Sequence, residues 1–182
     1  MHNTQTMLRK KEGRIIFLAH CIINQHVRAI GVKAIARSAI LKPLIAEIMR
    51  ENDVGIEQMP CPEILYEGLV RKACGKDRYN NDTYRSICRN VANDVIKKIL
   101  EYRKAGLRII AIVGVNGSPS CGVDFCSLGR GRWAREKGVF FEEIDHLLKE
   151  HQLDIPLIGI NVLRMGISLE NLRKVLLRSR LQ

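Results

Sequence analysis

A chain of 182 residues that is 46% hydrophobic and 27% charged has the length and composition of one domain with a sizeable buried core. Its apolar runs stay well short of the roughly 20 residues of a membrane span, which excludes a membrane-spanning protein. The net charge of +11 favours anionic partners without distinguishing nucleic acid from a small anion, and with aromatics at only 5% the core must pack on aliphatic side chains.

The opening segment, residues 1–13, is polar and basic and lacks a signal-peptide core, so a cytoplasmic chain is expected, with a basic tail ahead of one domain over residues 14–182. Arg14–Ala19 reads as a buried strand and leads through a loop, Cys21 to Gly31, into a helix from about Lys33 to Glu51. That helix shows an apolar stripe of Ile35, Ala39, Ile40, Leu44, Ile45 and Ile48. A second strand, Val54 to Met59, ends in Pro60-Cys61-Pro62-Glu63. A polar loop then precedes a long helix, Asn81 to Ala105, which Gly106 stops. The third strand, Leu107 to Val113, is the most apolar segment. An irregular stretch from Asn116 to Gly138 follows, and then helix Phe140–His151, strand Ile155–Ile160 and helix Ser168–Arg178. This alternation predicts a single-domain, Rossmann-like three-layer α/β fold with a mostly parallel sheet.

In such a sheet the carboxyl ends of the strands line one crevice where ligands bind. Cys21, Cys61 and Cys121 each follow one of the first three strands, so residues far apart in sequence should meet there. In a reducing compartment such cysteines are metal-binding or catalytic rather than disulfide-bonded, and the chain has no C-x-x-C pair. Zinc would need a fourth ligand or a histidine, for which His20 and His26 are candidates. Three thiolates without histidine favour an iron–sulfur cubane with one iron left open to substrate. Cys74 and Cys88 read as an incidental thiol and a core filler, whereas Cys126 shares the Cys121 loop and stays open as a spare ligand.

The polar neighbours have two readings each. Glu63 is either a proton-transferring carboxyl in the crevice or a structural partner of Arg71, and Glu67 is a weaker second carboxylate. Ser118 and Ser120 either cap the turn before Cys121 or donate hydrogen bonds to a ligand. Amides around Gly117 and Gly122 are candidates for an anion-binding nest, and Arg28 for positive charge near Cys21. The basic loop from Val123 to Lys137 is a candidate to close over the ligand. Gly-Ser-Pro-Ser at a strand end also resembles the phosphate loop of flavodoxin-like flavin reductases, but there the loop follows the first strand and carries no cysteine.

Cys21, Cys61-Pro62-Glu63 and Ser118-Pro119-Ser120-Cys121-Gly122, in this order at three strand ends, resemble the thiouracil desulfurase (desulfidase) family over roughly Arg14 to Ile160. The resemblance implies a [4Fe-4S] cluster held by Cys21, Cys61 and Cys121, with Glu63 as acid/base and Ser118 anchoring the substrate. Ser120 and Arg28 are expected beside the substrate. The implied reaction replaces the sulfur of a small thiocarbonyl compound by water without net redox change. The chain is a divergent member on this reading. Val27-Arg28-Ala29-Ile30-Gly31 keeps only the Arg and Gly of the family's segment, which points to a thiolated substrate other than thiouracil itself. The alternatives are a basic RNA-binding or thio-RNA-processing protein and a non-enzymatic sulfide or cluster carrier.

Overall fold

The computed structural model describes residues 11–32 and 41–181. Most of the expected basic tail and the first part of the helix expected from Lys33 lie outside the described residues. In chain order the strands are β1 (Arg14–Ala19), β2 (Val54–Met59), β3 (Arg108–Val115), β4 (Cys126–Gly129), β5 (Arg132–Ala134) and β6 (Leu157–Ile160). The α-helices are α1 (His20–Ile23), α2 (Leu41–Met49), α3 (Pro62–Glu67), α4 (Lys76–Tyr79), α5 (Asp82–Lys104), α6 (Val139–Glu150) and α7 (Met165–Arg180). Among the described residues no helix is long and apolar enough to cross a membrane.

The sheet is a four-stranded parallel one in the order β2-β1-β3-β6. Consecutive residues Ile16, Phe17 and Leu18 of β1 are all buried, as are Ala111, Ile112 and Val113 of β3. Side chains of a strand alternate between faces, so burial of consecutive residues means that both faces are covered. The cover comes from two helix pairs, α5 with α6 and α2 with α7. The three-layer α/β expectation therefore holds.

Helix α5 shows how local sequence sets an element. The Asn81 side chain accepts the Tyr84 amide at 3.0 Å as an N-cap, and Gly106, at φ +99°, turns the chain out of the helix. Between them Tyr84, Cys88, Val91, Val95 and Ile99 recur at three and four residues and form its buried stripe. The stretch expected to be irregular after β3 instead contains the antiparallel hairpin β4–β5. The helices α3 and α4 were not expected either, because at six and four residues they are too short to show periodicity.

The strand order reverses between β1 and β3. From β1 the chain moves to β2 on one side and then crosses back to β3 on the other, which opens a crevice between their carboxyl ends. At the opposite end of β1, Arg14 is buried and ties three segments together. Its guanidinium donates to Asp53 and Glu51, before β2, and to Ser179 Oγ and the Leu176 carbonyl of α7. Hydrogen bonds from Arg180 and then Arg14 hold Glu51 below the usual carboxylate range, and Arg14 does the same for Asp53.

A carboxylate with a lowered folded pKa stabilises the fold fully above its unfolded value, about 4, and less as pH falls through the folded value. Arg14→Met is therefore expected to lose about 3 kcal/mol of stability at neutral pH, because Ser179 and Asp53 lose their donor and Glu51 keeps only Arg180. The deficit should narrow as pH falls below about 4. Urea unfolding of both proteins across pH 3–8 checks the size and the sign.

Candidate active site

Each cysteine reaches the crevice by a different local device. Cys21 lies in the single turn α1 that starts directly after β1. Cys61 is the extended N-cap residue of α3, where Pro62 at the first helical position sets the entry angle. Its carbonyl accepts the Ile64 and Leu65 amides at 3.1 and 3.3 Å. Cys121 comes out of a tight turn after β3. Ser118 Oγ accepts the amides of Ser120 and Cys121 at 3.2 and 2.9 Å, and the Val115 amide donates to the Cys121 carbonyl at 2.9 Å. The turn's other carbonyls cap α6: Pro119 accepts from Val139 and Ser120 from Phe140. Both flanks require glycine, since a Cβ at Gly114 would sit 2.2 Å from the Cys121 carbonyl and one at Gly138 would sit 2.5 Å from that of Ser120.

The three cysteines line one cavity of about 280 Å³ together with Glu63, Arg71, Arg28, Ser118, Asn116 and Trp133. All six cysteines of the chain are free thiols. Burial raises the pKa of all three site cysteines. Glu63 then pushes Cys61 further, to about 12, and Cys121 is raised additionally by Cys61 and Cys21. Cys21 is raised by burial, against the pull of the Arg28 charge and a hydrogen bond from that side chain.

Glu63 has the placement that each of its two readings expects. It is buried, lines the cavity and accepts Arg71 Nε at 3.0 Å. Burial raises its pKa while the Arg71 charge and hydrogen bond oppose the rise. Arg71 also donates to the Val27 carbonyl at 2.9 Å and approaches Cys61 Sγ at 3.9 Å. A bridge between Ile30 and Lys72 holds the two segments that carry Arg28 and Arg71 side by side.

Other expectations separate from the site. Ser118 and Arg28 line the cavity, but Ser120 does not. Ser120 is fully buried, and its hydroxyl accepts Tyr84 Oη at 2.8 Å in the core. Glu67 turns to Arg78 and Tyr79, outside the cavity. The anion nest is not formed, because the Gly117 amide donates to Phe125 and the Gly122 amide to Ser118. Cys126 lies in β4, buried against Glu136 and away from the cavity lining. The histidines do not complete a zinc site. His20 faces Gln58 at 3.3 Å, His26 is exposed, and among the described residues no three His, Cys, Asp or Glu side chains converge on a single ion. Arg132, Lys137, Arg173 and Arg180 make surface ion pairs with Asp77, Asp145, Glu47 and Glu51.

Three lining residues lacked a sequence signal for the cavity. Cys74 stands in it beside Tyr79. Asn116 braces the loop after Cys121, where its Oδ1 accepts the Val123 and Asp124 amides at 3.1 and 3.0 Å. Trp133 arrives on the hairpin.

A family model described as "Putative 2-thiouracil desulfurase" matches residues 13–153, well over half of the chain. The chain belongs to that family. The matched region runs from the residue before β1 to just past α6 and so contains all three crevice cysteines, Glu63 and the Ser118–Cys121 turn. An uncharacterised protein of Methanocaldococcus jannaschii is 32% identical over 137 residues, which cover 75% of this chain and 81% of that relative. No solved structure matches the chain. Membership in a desulfurase family supports an enzyme with a small-molecule substrate.

The buried pair at the site gives a stability prediction. Arg71→Met strands the Glu63 carboxyl and is expected to cost about 3–5 kcal/mol. In the double variant Arg71→Met/Glu63→Gln much of that loss should return, because no unpaired carboxylate is left buried. Equal losses in the single and double variants, read by urea unfolding, would mean that the two residues are not coupled.

Proposed function

We propose that this protein holds a [4Fe-4S] cluster on Cys21, Cys61 and Cys121. With it, the protein converts a small thiocarbonyl compound of the thionucleobase type and water into the carbonyl compound and hydrogen sulfide. The observation that supports this most is the meeting of three cysteines, from three adjacent strand ends, in one cavity that also holds a buried carboxyl. The donors fit the group. They are thiols only, they surround a cavity instead of pointing at one atom, and the described residues lack a mononuclear site. When bound, the cluster would supply an iron without a protein ligand, a Lewis acid suited to a soft sulfur atom.

The chain's own residues account for the rest. Cys21, Cys61 and Cys121 would hold the cluster as thiolates, and its positive charge would offset the burial that now holds their pKa values up. Glu63, raised above the ordinary carboxylate range by burial, is a better base than an exposed glutamate and takes a proton from the attacking water. Arg71 fixes the Glu63 carboxylate by its Nε hydrogen bond. The Ser118 oxygen already accepts two amides, so its own proton is left to donate to a polar atom of the substrate ring. Arg28 keeps positive charge beside Cys21. The largely apolar walls, including Val115, Pro119 and Val162, limit bulk water around the reacting carbon.

Anaerobic reconstitution tests the proposal. About four irons and four sulfides per chain are expected. Cys21→Ser, Cys61→Ser and Cys121→Ser should each lose most of the iron, and Cys126→Ser should retain it. Loaded wild-type protein should release sulfide from 2-thiouracil or another thionucleobase. Glu63→Gln should keep its iron while kcat falls about 100-fold or more. Full iron in all three serine variants would overturn the cluster assignment. A loaded protein that frees no sulfide from any thionucleobase would leave a carrier, not an enzyme.

A further inference from the structure

Trp133 is 61% exposed, an unfavourable place for so large an apolar side chain. It is nevertheless well positioned. The hairpin pairs it with Ser127 across β4, and its ring meets Phe125 edge-to-face at 6.0 Å and 65°. The edge of the indole lies against Gly117, where an added Cβ would approach Cζ3 to 3.1 Å. Gly117 has a φ of +89°, so glycine suits this position both for its backbone and for the ring laid over it. Phe125 and Gly117 thus hold the indole at the cavity that the three cysteines line.

We infer that Trp133 is the specificity-determining wall of this site, against which a planar heteroaromatic thiocarbonyl ring stacks. The inference rests on the function proposed above and extends it to the shape of the substrate. A cavity of about 280 Å³ is at the small end of ligand pockets and suits one heterocycle. The polar groups that would orient such a ring, Ser118 and Arg28, line the same cavity. A flat indole held by its edge recognises any π-face, whereas an open-chain thioamide gains little from it. Cross-strand packing on Phe125 alone would not require the ring to line the cysteine cavity.

The chain contains a single tryptophan, so its emission reports this one position. Uracil, added to anaerobically reconstituted protein and to the metal-free form, should change that emission saturably, and thioacetamide should not. Calorimetric titration of reconstituted Trp133→Ala with uracil should show affinity weakened about 5- to 150-fold, the range that corresponds to one lost base–aromatic stack. Trp133→Phe should recover most of it. In turnover, Trp133→Ala should raise KM for a thionucleobase far more than it lowers kcat. Unchanged uracil affinity and an unchanged KM in Trp133→Ala would overturn the role of Trp133, even in an enzyme that desulfurates well. Stacking of uracil on Trp133 in a protein that releases no sulfide would leave the inference standing and overturn the proposed reaction alone.

Discussion

The parallel register of β1 with both of its neighbours is the constraint on which the site depends. Ala19 pairs with Met59 at the end of β1 and β2, and Leu18 pairs with Val113 near the end of β3. Three strands that run the same way and stop at the same edge must release their next residues into the same volume. Cys21, Cys61 and Cys121 are those residues, within a turn of the sheet edge. Because the order reverses between β1 and β3, the chain leaves these two strands toward different helix pairs, to α2 after β1 and to α6 after β3, and a crevice opens between their ends. A one-residue slip of β1 would exchange its two faces and break this alignment.

The site is costly to build, and the structure shows how the cost is contained. Burial penalises the charged forms of three thiols and a carboxyl, and Glu63 adds repulsion at each cysteine, so each pKa is raised. Arg71 and Arg28 supply the compensating charge within the protein. The Pro119 and Ser120 carbonyls of the turn accept from the amino end of α6, and Val115 and Ser118 hold the backbone of Cys121, so the chain itself positions this cysteine. Arg14, at the far end of the same strand, anchors β1 to α7 by a buried network that plays no direct part in the site. Stability and chemistry thus occupy opposite ends of β1.

The layer architecture and the three cysteines were legible in the sequence because hydrophobic runs and strand-end positions are local signals. Asn81 and Gly106 marked the ends of α5 by their capping chemistry. The roles of Ser118 and Ser120 were not separable there. Two serines on either side of Pro119 look alike in sequence, and only the packing of Tyr84 sends Ser120 into the core while Ser118 keeps the cavity. Gly117 and Gly122 have the composition of an anion nest, yet their amides are spent on Phe125 and Ser118, which depends on how the loop folds back. Cys74 reaches the cavity from the loop before α4 and Trp133 from the hairpin, segments too short to carry a periodic pattern, and Trp133 lay hidden inside a run of basic residues.

The most direct test of the account is a crystal structure of the anaerobically reconstituted protein, with anomalous scattering measured at the iron edge. The account predicts a compact group of iron atoms in the cavity bounded by Cys21, Cys61 and Cys121, with one iron free of protein ligands and facing Glu63 and Ser118. Iron bound elsewhere, or iron in the cavity ligated by Cys74 or Cys126 in place of one of the three, would contradict it.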